Sequence, residues 1–322
     1  MTSPVLNVSG LKIHFSSGEG VIRAVDGIDL VVNENETVAL VGESGCGKSL
    51  TSLALARLVS GPGLSITGRI QVAGSDILGL SEPELRKLRG ATLAYIFQDP
   101  TAALNPVKRV GDQIAEVIRR HRKVANVNDE VIRLMKLVGL PNPETRRRAY
   151  PHQFSGGMQQ RVMIAMALAC HPRLLVADEP TTALDVTIQA QIFNLLNDLQ
   201  SELKMAVLLI THNLGLVARN ASRVYVMYAG RVMEAGPVMS VLKSPAHPYT
   251  KGLLAAVPRL NKPVDRMVGI DGTVPHPARL PPGCRFNPRC PMAGELCRSA
   301  EPGLERVEEG HDVRCHYWKQ VR

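Results

Sequence analysis

The sequence predicts an α/β protein with a separate loop-rich tail, on three observations. From residue 1 to about 260, short apolar runs alternate with stretches whose apolar residues recur at helical spacing, the pattern of a parallel sheet covered by helices. The run Thr37-Val-Ala-Leu-Val41 passes through a glycine-rich turn into a helical stretch, giving the order strand, loop, helix. From about 261 onward the composition shifts, and this segment holds eight of the chain's 22 prolines and four of its six cysteines. Two regions are expected: a core over 1–260 and an extension over 261–322. At 322 residues the chain is long for a single core, which agrees with that division.

The elements follow in order. Thr37 to Val41 reads as a strand, and Lys48 to Val59 as a helix. Leu93 to Phe97 is another short strand. Between about 100 and 155 the strands disappear, and Val110 to Arg122 and Asp129 to Gly139 carry helical apolar spacing, which predicts an inserted helical subdomain. Gly156 to Cys170 is also helical. Leu174 to Ala177, Ala206 to Ile210 and Val224 to Met227 are continuous apolar runs, as expected for parallel strands buried on both faces. Between the first two of these, Val186 to Leu203 places apolar residues at 188, 192, 195, 196 and 199, a helix against the sheet.

Composition narrows the function classes. The chain is 45% hydrophobic and 21% charged, which excludes wholesale disorder, collagen and coiled coil. A net charge of +9 raises three polyanionic partners: nucleic acid, an acidic membrane surface, or a phosphorylated small molecule. Aromatic residues make up only 4% of the chain, which leaves little for base stacking, so no nucleic-acid partner is expected. No apolar run reaches the roughly 18 to 20 residues that span a bilayer, and the first twenty residues lack the pattern of a signal peptide. A cytoplasmic protein is expected, in which the six cysteines do not form structural disulfides.

Gly42-Glu-Ser-Gly-Cys-Gly-Lys-Ser49 fits the pattern G-x-x-x-x-G-K-[ST] and lies between a strand and a helix, where that pattern works. Its glycines let backbone N–H groups curl around phosphate oxygens, and the helix start adds positive potential. Lys48 would reach the β and γ phosphates and Ser49 would offer a hydroxyl to Mg²⁺, so the segment Gly42, Glu43, Ser44, Gly45, Cys46, Gly47, Lys48, Ser49 and Leu50 is expected to bind a nucleoside triphosphate. Leu174-Leu-Val-Ala-Asp178-Glu179 is an apolar strand ending in two acids. Asp178 is placed to support Mg²⁺ and Glu179 to polarise an attacking water. Capping of the next helix is the competing reading for both.

Further strings carry a family resemblance. Phe154-Ser-Gly-Gly-Met-Gln-Gln-Arg161 resembles the signature motif of ATP-binding cassette (ABC) ATPases, and Gln98 in Phe97-Gln-Asp-Pro100 resembles their Q-loop. Ala183-Leu-Asp185 resembles the D-loop and His212 the switch histidine, although Asn213 stands where the family usually has Asp. The resemblance implies a P-loop ABC ATPase fold, with ATP and Mg²⁺ as ligands and Ser49 and Gln98 contacting the metal. It implies Glu179, His212 and Gln98 as the catalytic set. It also implies that two cassettes pair head to tail, so that Ser155, Gly156, Gly157 and Asp185 close the partner's nucleotide. Members of the family commonly stack the adenine on an aromatic residue upstream of the P-loop. Phe15 is the only aromatic there; a core position for Phe15 is the competing reading, with Ile22 and Arg23 as alternatives.

The tail refines the resemblance. His247-Pro-Tyr-Thr-Lys-Gly-Leu253 and Asn287-Pro-Arg-Cys-Pro291 resemble the carboxyl-terminal extension of ATPases from dipeptide and oligopeptide importers, nearest to the dipeptide-importer type. That implies a heterodimer with a second, homologous ABC ATPase, two membrane-spanning permease subunits, and a periplasmic or extracellular peptide-binding protein, with this chain peripheral on the cytoplasmic face of the inner membrane. An importer of nickel or another small solute, or a soluble ABC ATPase acting on nucleic acid or ribosomes, is the alternative. Cys284, Cys290, Cys297 and Cys315 crowd a short segment that looks too polar to hold a core of its own. Their spacing lacks the C-x₂₋₄-C pairs usual for zinc. The resemblance favours a [4Fe-4S] cluster, with zinc, or no metal, as alternatives. Arg119, Arg120, Arg122, Lys123 and the run Arg146 to Arg148 read as solvated helix faces, with acidic headgroups or membrane subunits as the other reading.

Overall fold

The computed structural model describes residues 4–18, 20–181, 185–256 and 269–322. The boundary expected near 260, and Ala183 and Leu184 of the D-loop string, lie outside these residues. Twelve strands are described: β1 Leu6–Ser17, β2 Gly20–Val32, β3 Thr37–Val41, β4 Leu64–Val72, β5 Ser75–Asp76, β6 Leu93–Ile96, β7 Leu174–Asp178, β8 Ala206–Thr211, β9 Arg223–Tyr228, β10 Arg231–Pro237, β11 Glu305–Glu308 and β12 His311–Val313. The α-helices are α1 Lys48–Leu55, α2 Glu82–Leu88, α3 Pro100–Ala103, α4 Val110–His121, α5 Val127–Leu137, α6 Pro143–Arg146, α7 Gly156–Leu168, α8 Val186–Leu203, α9 Leu214–Asn220, α10 Val238–Lys243, α11 Pro248–Ala255, α12 Glu295–Ser299 and α13 Trp318–Val321. Among the described residues no helix is long and apolar enough to cross a membrane.

The chain divides into two compact units. The first comprises residues 1–6, 32–36 and 71–208; the second comprises 7–31, 37–70 and 209–322. The first unit holds β6 and β7 in parallel register, Leu93 opposite Leu174 through Ile96 opposite Ala177. Every residue of β7 is buried, as a strand covered on both faces requires. Helix α7 lies against β6, and α4 and α5 pack on α7 and on each other, each with the buried face that the apolar spacing predicts. Val110, Ile114, Ala115 and Ile118 bury one face of α4, and Val131, Leu134 and Met135 bury one face of α5. Several arginines here have structural partners. Arg122 bonds Glu130 at 2.7 Å and the Ala169 carbonyl at 2.6 Å, and Arg146 lies 5.8 Å from the centre of the Phe154 ring.

The second unit carries β3 and β9 in parallel register, Val38 opposite Arg223 through Val41 opposite Val226. β9 continues antiparallel into β10, then β12 and β11, so the last strands of the chain extend the same sheet. Helix α1 is shorter than its spacing suggests. The Arg57 N–H bonds the Ala54 carbonyl and the Leu58 N–H bonds the Leu53 carbonyl, both at 2.9 Å, while Arg57 takes φ 49°. This left-handed closure caps the open carbonyls and ends the helix at Leu55.

The extension does not stand apart. Tyr228, Tyr249 and Phe286 are fully buried, with ring centres 4.7 to 5.4 Å apart, and they pack with Cys284 and Cys297 against residues of β3 and β9. The segment therefore shares the core of its unit instead of needing one of its own. An ionic cluster reinforces it. Asp26 accepts from Arg285 in a very short bond, from Arg231 at 3.3 Å, and meets His14 at 3.1 Å. Burial pushes the Asp26 carboxyl up, but hydrogen bonding and charge from Arg285, with Arg231 and His14, bring it below its ordinary value.

Two expectations follow. Replacing the buried ring in Phe286→Ala should cost about 3–5 kcal/mol in urea unfolding. Because the folded Asp26 pKa is depressed, its contribution is present above the unfolded value of about 3.9 and lost as pH falls through the folded one. The urea midpoint should thus drop below about pH 4, and Asp26→Asn should flatten that part of the profile.

Candidate functional site

The phosphate loop lies in the second unit, between β3 and α1. Two of its glycines are required by close backbone approach. A Cβ on Gly42 would sit 2.1 Å from the Met227 carbonyl oxygen, and one on Gly47 would sit 2.7 Å from the Ala24 carbonyl oxygen; both have positive φ. The Gly230 N–H donates to the Cys46 carbonyl at 2.9 Å, which fastens the loop to the turn after β9. Lys48 is buried and folds back over the loop, donating to the Gly42 carbonyl at 2.8 Å and the Glu43 carbonyl at 2.9 Å. Ser44, Gly45 and Ser49 are exposed, while Leu50 is half-buried at the first turn of α1.

Cys46 is completely buried, with its sulfur 3.7 Å from Lys48 Nζ, and burial raises its thiol above the ordinary value. The same unit holds His212, exposed after β8, and Asn213, whose side chain caps α9 by accepting from Gly215 N at 2.9 Å. Phe15 is half-buried on β1, its ring against Gly61, where a Cβ would come within 3.2 Å.

The first unit holds the acidic strand. Asp178 is 8% exposed at the end of β7. Glu179 follows with φ 46°, a left-handed backbone that an L side chain adopts at a cost of about 1–3 kcal/mol and that clusters at functional sites. Gln98 Nε2 donates to Glu179 Oε2 at 3.2 Å, so these two predicted residues come together. With its amide nitrogen turned to Glu179, Gln98 keeps its carbonyl oxygen for a cation, a hard donor of the kind Mg²⁺ prefers. In the second unit, the exposed Ser49 hydroxyl is a donor of the same kind.

Ser155 caps α7 through its backbone position, and its side chain makes no cap bond. A Cβ on Gly157 would meet Ile188 at 2.9 Å, so this glycine serves packing as well as any ligand. Gln159 ties the start of α7 to Pro151 and Phe154 through their carbonyls and accepts from Thr101 at 3.2 Å. Asp185 caps α8, accepting from Ile188 N at 2.9 Å.

Two residues of this region escaped the motif reading. The Tyr249 hydroxyl accepts from the Glu43 N–H at 2.9 Å. It is placed by a chain of buried bonds. The Glu234 carboxylate accepts from Ala246 N at 2.7 Å and His247 N at 3.1 Å, and His247 Nδ1 accepts from Tyr249 N at 3.0 Å. Burial drives the His247 pKa down to about 4, which keeps the ring neutral and Nδ1 an acceptor. The second residue is Arg289, which grips the Glu43 carboxylate at 2.7 and 3.0 Å. Both lie in strings singled out for their resemblance, so the signal was present but not its meaning.

The metal expectation for the tail is corrected. Cys284, Cys290, Cys297 and Cys315 do line one small cavity, together with Phe286, Met292 and Tyr317. Among the described residues, however, no group of three or more His, Cys, Asp or Glu is placed to hold a metal ion, so neither a [4Fe-4S] cluster nor zinc is supported. Burial pushes the Cys284 thiol up to about 11 and the Cys315 thiol up to about 12. Cys284, Cys297 and Cys315 behave as small buried hydrophobes in the core of the unit, with half-buried Cys290 packed against them.

Residues 25–182 match the family described as ABC transporter, and residues 233–297 match the C-terminal region of oligopeptide/dipeptide transporters. The chain is 48% identical to the dipeptide transport ATP-binding protein DppD of Escherichia coli, over 97% of this chain and 96% of that one. It is 46% identical to the oligopeptide transport ATP-binding protein AppD of Bacillus subtilis, over 99% and 98%. Among solved structures, a dimeric ATP-binding cassette in a post-hydrolysis state with ADP and phosphate matches with TM-score 0.64 at 26% identity, covering 72% of this chain and 98% of that chain. The CbiO1 protein of Clostridium perfringens, part of an ABC transporter complex, matches with TM-score 0.64 at 26% identity, covering 74% and 91%.

The burial of Cys46 sets a measurable order of reactivity. In a time course with iodoacetamide at pH 7, read by peptide mass mapping, the half-exposed Cys170 and Cys290 should be modified well before Cys46. Protein in which Cys46 has been alkylated should have lost ATP binding, because the added group fills the loop.

Proposed function

This chain belongs to the ATP-binding subunits of ABC transporters, and from that premise we propose that it hydrolyses ATP to power the uptake of dipeptides and oligopeptides. The observation that carries the cargo class is the match of residues 233–297 to the oligopeptide/dipeptide transporter C-terminal region, on the same chain as the phosphate loop. In this reading the core is 1–260, the segment of about 100–155 is a helical subdomain that receives the permease subunits, and 261–322 is the extension. The chain works at the cytoplasmic face of the inner membrane. It pairs with a second, homologous ATPase, and with two permeases and an external peptide-binding protein.

The roles of the site residues follow from their chemistry. Lys48 exchanges its two carbonyl acceptors for phosphate oxygens, and the N–H groups from Gly45 to Leu50 surround the same anion. Ser49, Gln98 and Asp178 would hold Mg²⁺, which would supply neutralisation of the triphosphate charge. Glu179 accepts the proton of the attacking water as the terminal phosphate leaves ADP, and Gln98 orients that carboxylate through the bond already made at 3.2 Å. His212 donates to the phosphate or the water. Ser155, Gly156 and Gly157 of one cassette, with Asp185, close the nucleotide of the other. Phe15 is the candidate for stacking adenine.

The test is transport by the assembled importer in proteoliposomes. ATP inside and binding protein outside should drive uptake of a labelled dipeptide. Glu179→Gln should lower ATP turnover by roughly 10²- to 10⁴-fold while ATP still binds. Loss of ATP binding in that variant, or a wild-type complex that moves another solute and no dipeptide, would overturn the assignment.

A further inference from the structure

Arg289 ends the short 3₁₀ turn Asn287–Arg289, far along the chain from the phosphate loop. Its side chain is only 4% exposed. Nη1 donates to Glu43 Oε2 at 2.7 Å and Nη2 to Glu43 Oε1 at 3.0 Å, a two-pronged grip on the second residue of the loop. The remaining donors are also engaged. Nε bonds the Asp271 carbonyl at 2.8 Å and Nη2 the Ile270 carbonyl at 3.0 Å, while Nη1 reaches the Tyr228 hydroxyl at 3.4 Å. The guanidinium lies 5.7 Å from the centre of the Tyr228 ring.

Glu43 is poorly suited to its position unless something offsets its charge. Its carbonyl accepts from Lys48, and its N–H is fixed by Tyr249, so its backbone is part of the cradle. A carboxylate on that residue repels a triphosphate, and it competes for the Lys48 ammonium. The Arg289 fork draws the carboxylate away from the cradle and neutralises it. Arg285, four residues earlier, braces the loop from behind by donating to the Ala229 carbonyl at 2.6 Å, beside the Gly230 N–H that holds Cys46.

We propose that Arg289 is a positioning residue for nucleotide binding: by neutralising and orienting Glu43, it makes the C-terminal extension a part of the ATP site of its own chain. The inference rests on the reading of Gly42 to Leu50 as that site. It predicts that ATP affinity is sensitive to a residue that touches no nucleotide, and that the sensitivity runs through the charge of Glu43.

ATP binding by the full-length chain, followed calorimetrically beside its thermal unfolding, tests this. Arg289→Ala should weaken ATP binding about tenfold or more, with Arg289→Lys between it and the wild type because lysine keeps the charge and loses the fork. In the importer complex the loss should appear in KM for ATP, with kcat changed less than about twofold. Adding Glu43→Gln to Arg289→Ala should recover most of the affinity, since the unpaired carboxylate is then gone. A loss of packing alone would not be reversed by that second change. If Arg289→Ala has no native thermal transition, Arg289→Lys and its Glu43→Gln double variant carry the same comparison. ATP affinity within twofold of wild type in Arg289→Ala, or a double variant no better than the single one, overturns the proposal. Lys48→Ala separates the two readings. If the wild type binds ATP and Lys48→Ala does not, the site stands whatever Arg289 does.

Discussion

The second unit is organised around the contact between Gly42 and the Met227 carbonyl. With only 2.1 Å available to a Cβ, the chain leaving β3 must run directly over the end of β9. That approach fixes where the loop turns and where α1 begins. It also explains why the turn after β9 is so heavily supported. Tyr228 enters the aromatic core, the Ala229 carbonyl receives Arg285, and the Gly230 N–H holds Cys46. A displacement of that turn would move the phosphate loop with it. The carboxyl-terminal residues are thus tied to the loop twice, directly through Arg289 on Glu43 and indirectly through Arg285 on this turn.

The parts of the fold legible in the sequence were those set by local rules. The buried strands β7 and β8 announced themselves as unbroken apolar runs, and α4, α5 and α8 as periodic ones. The phosphate loop was legible because its glycines, lysine and serine are close in sequence and each has a steric or ionic reason. What stayed hidden depends on partners far apart in the chain. Arg289 meets Glu43 across 246 positions and Arg285 meets Asp26 across 259, and no local pattern announces such a pair. The four tail cysteines were misread for a related reason. Cysteine serves as a metal ligand and as a small buried hydrophobe, and only the surroundings tell which. Here the surroundings are Phe286, Met292 and Tyr317, and the neighbouring aromatic core supplies a cohesion that no local stretch of the tail displays.

In the first unit, the end of β7 combines strain with polarity. Glu179 leaves the strand in a left-handed conformation and meets the amide of Gln98, which begins the passage from β6 into the helices α3 to α7. The same run of helices is knitted to the start of α7 by Gln159. A carboxylate suited to proton transfer and a helix start suited to anions are therefore connected through one set of hydrogen-bonded helices.

The internal bonds of Lys48 have a mechanical consequence. Its two acceptors, the Gly42 and Glu43 carbonyls, stand where the loop begins, and the lysine itself stands where the helix begins. The side chain therefore ties the two ends of the loop together like a drawstring, so the loop moves as one body with the first turn of α1.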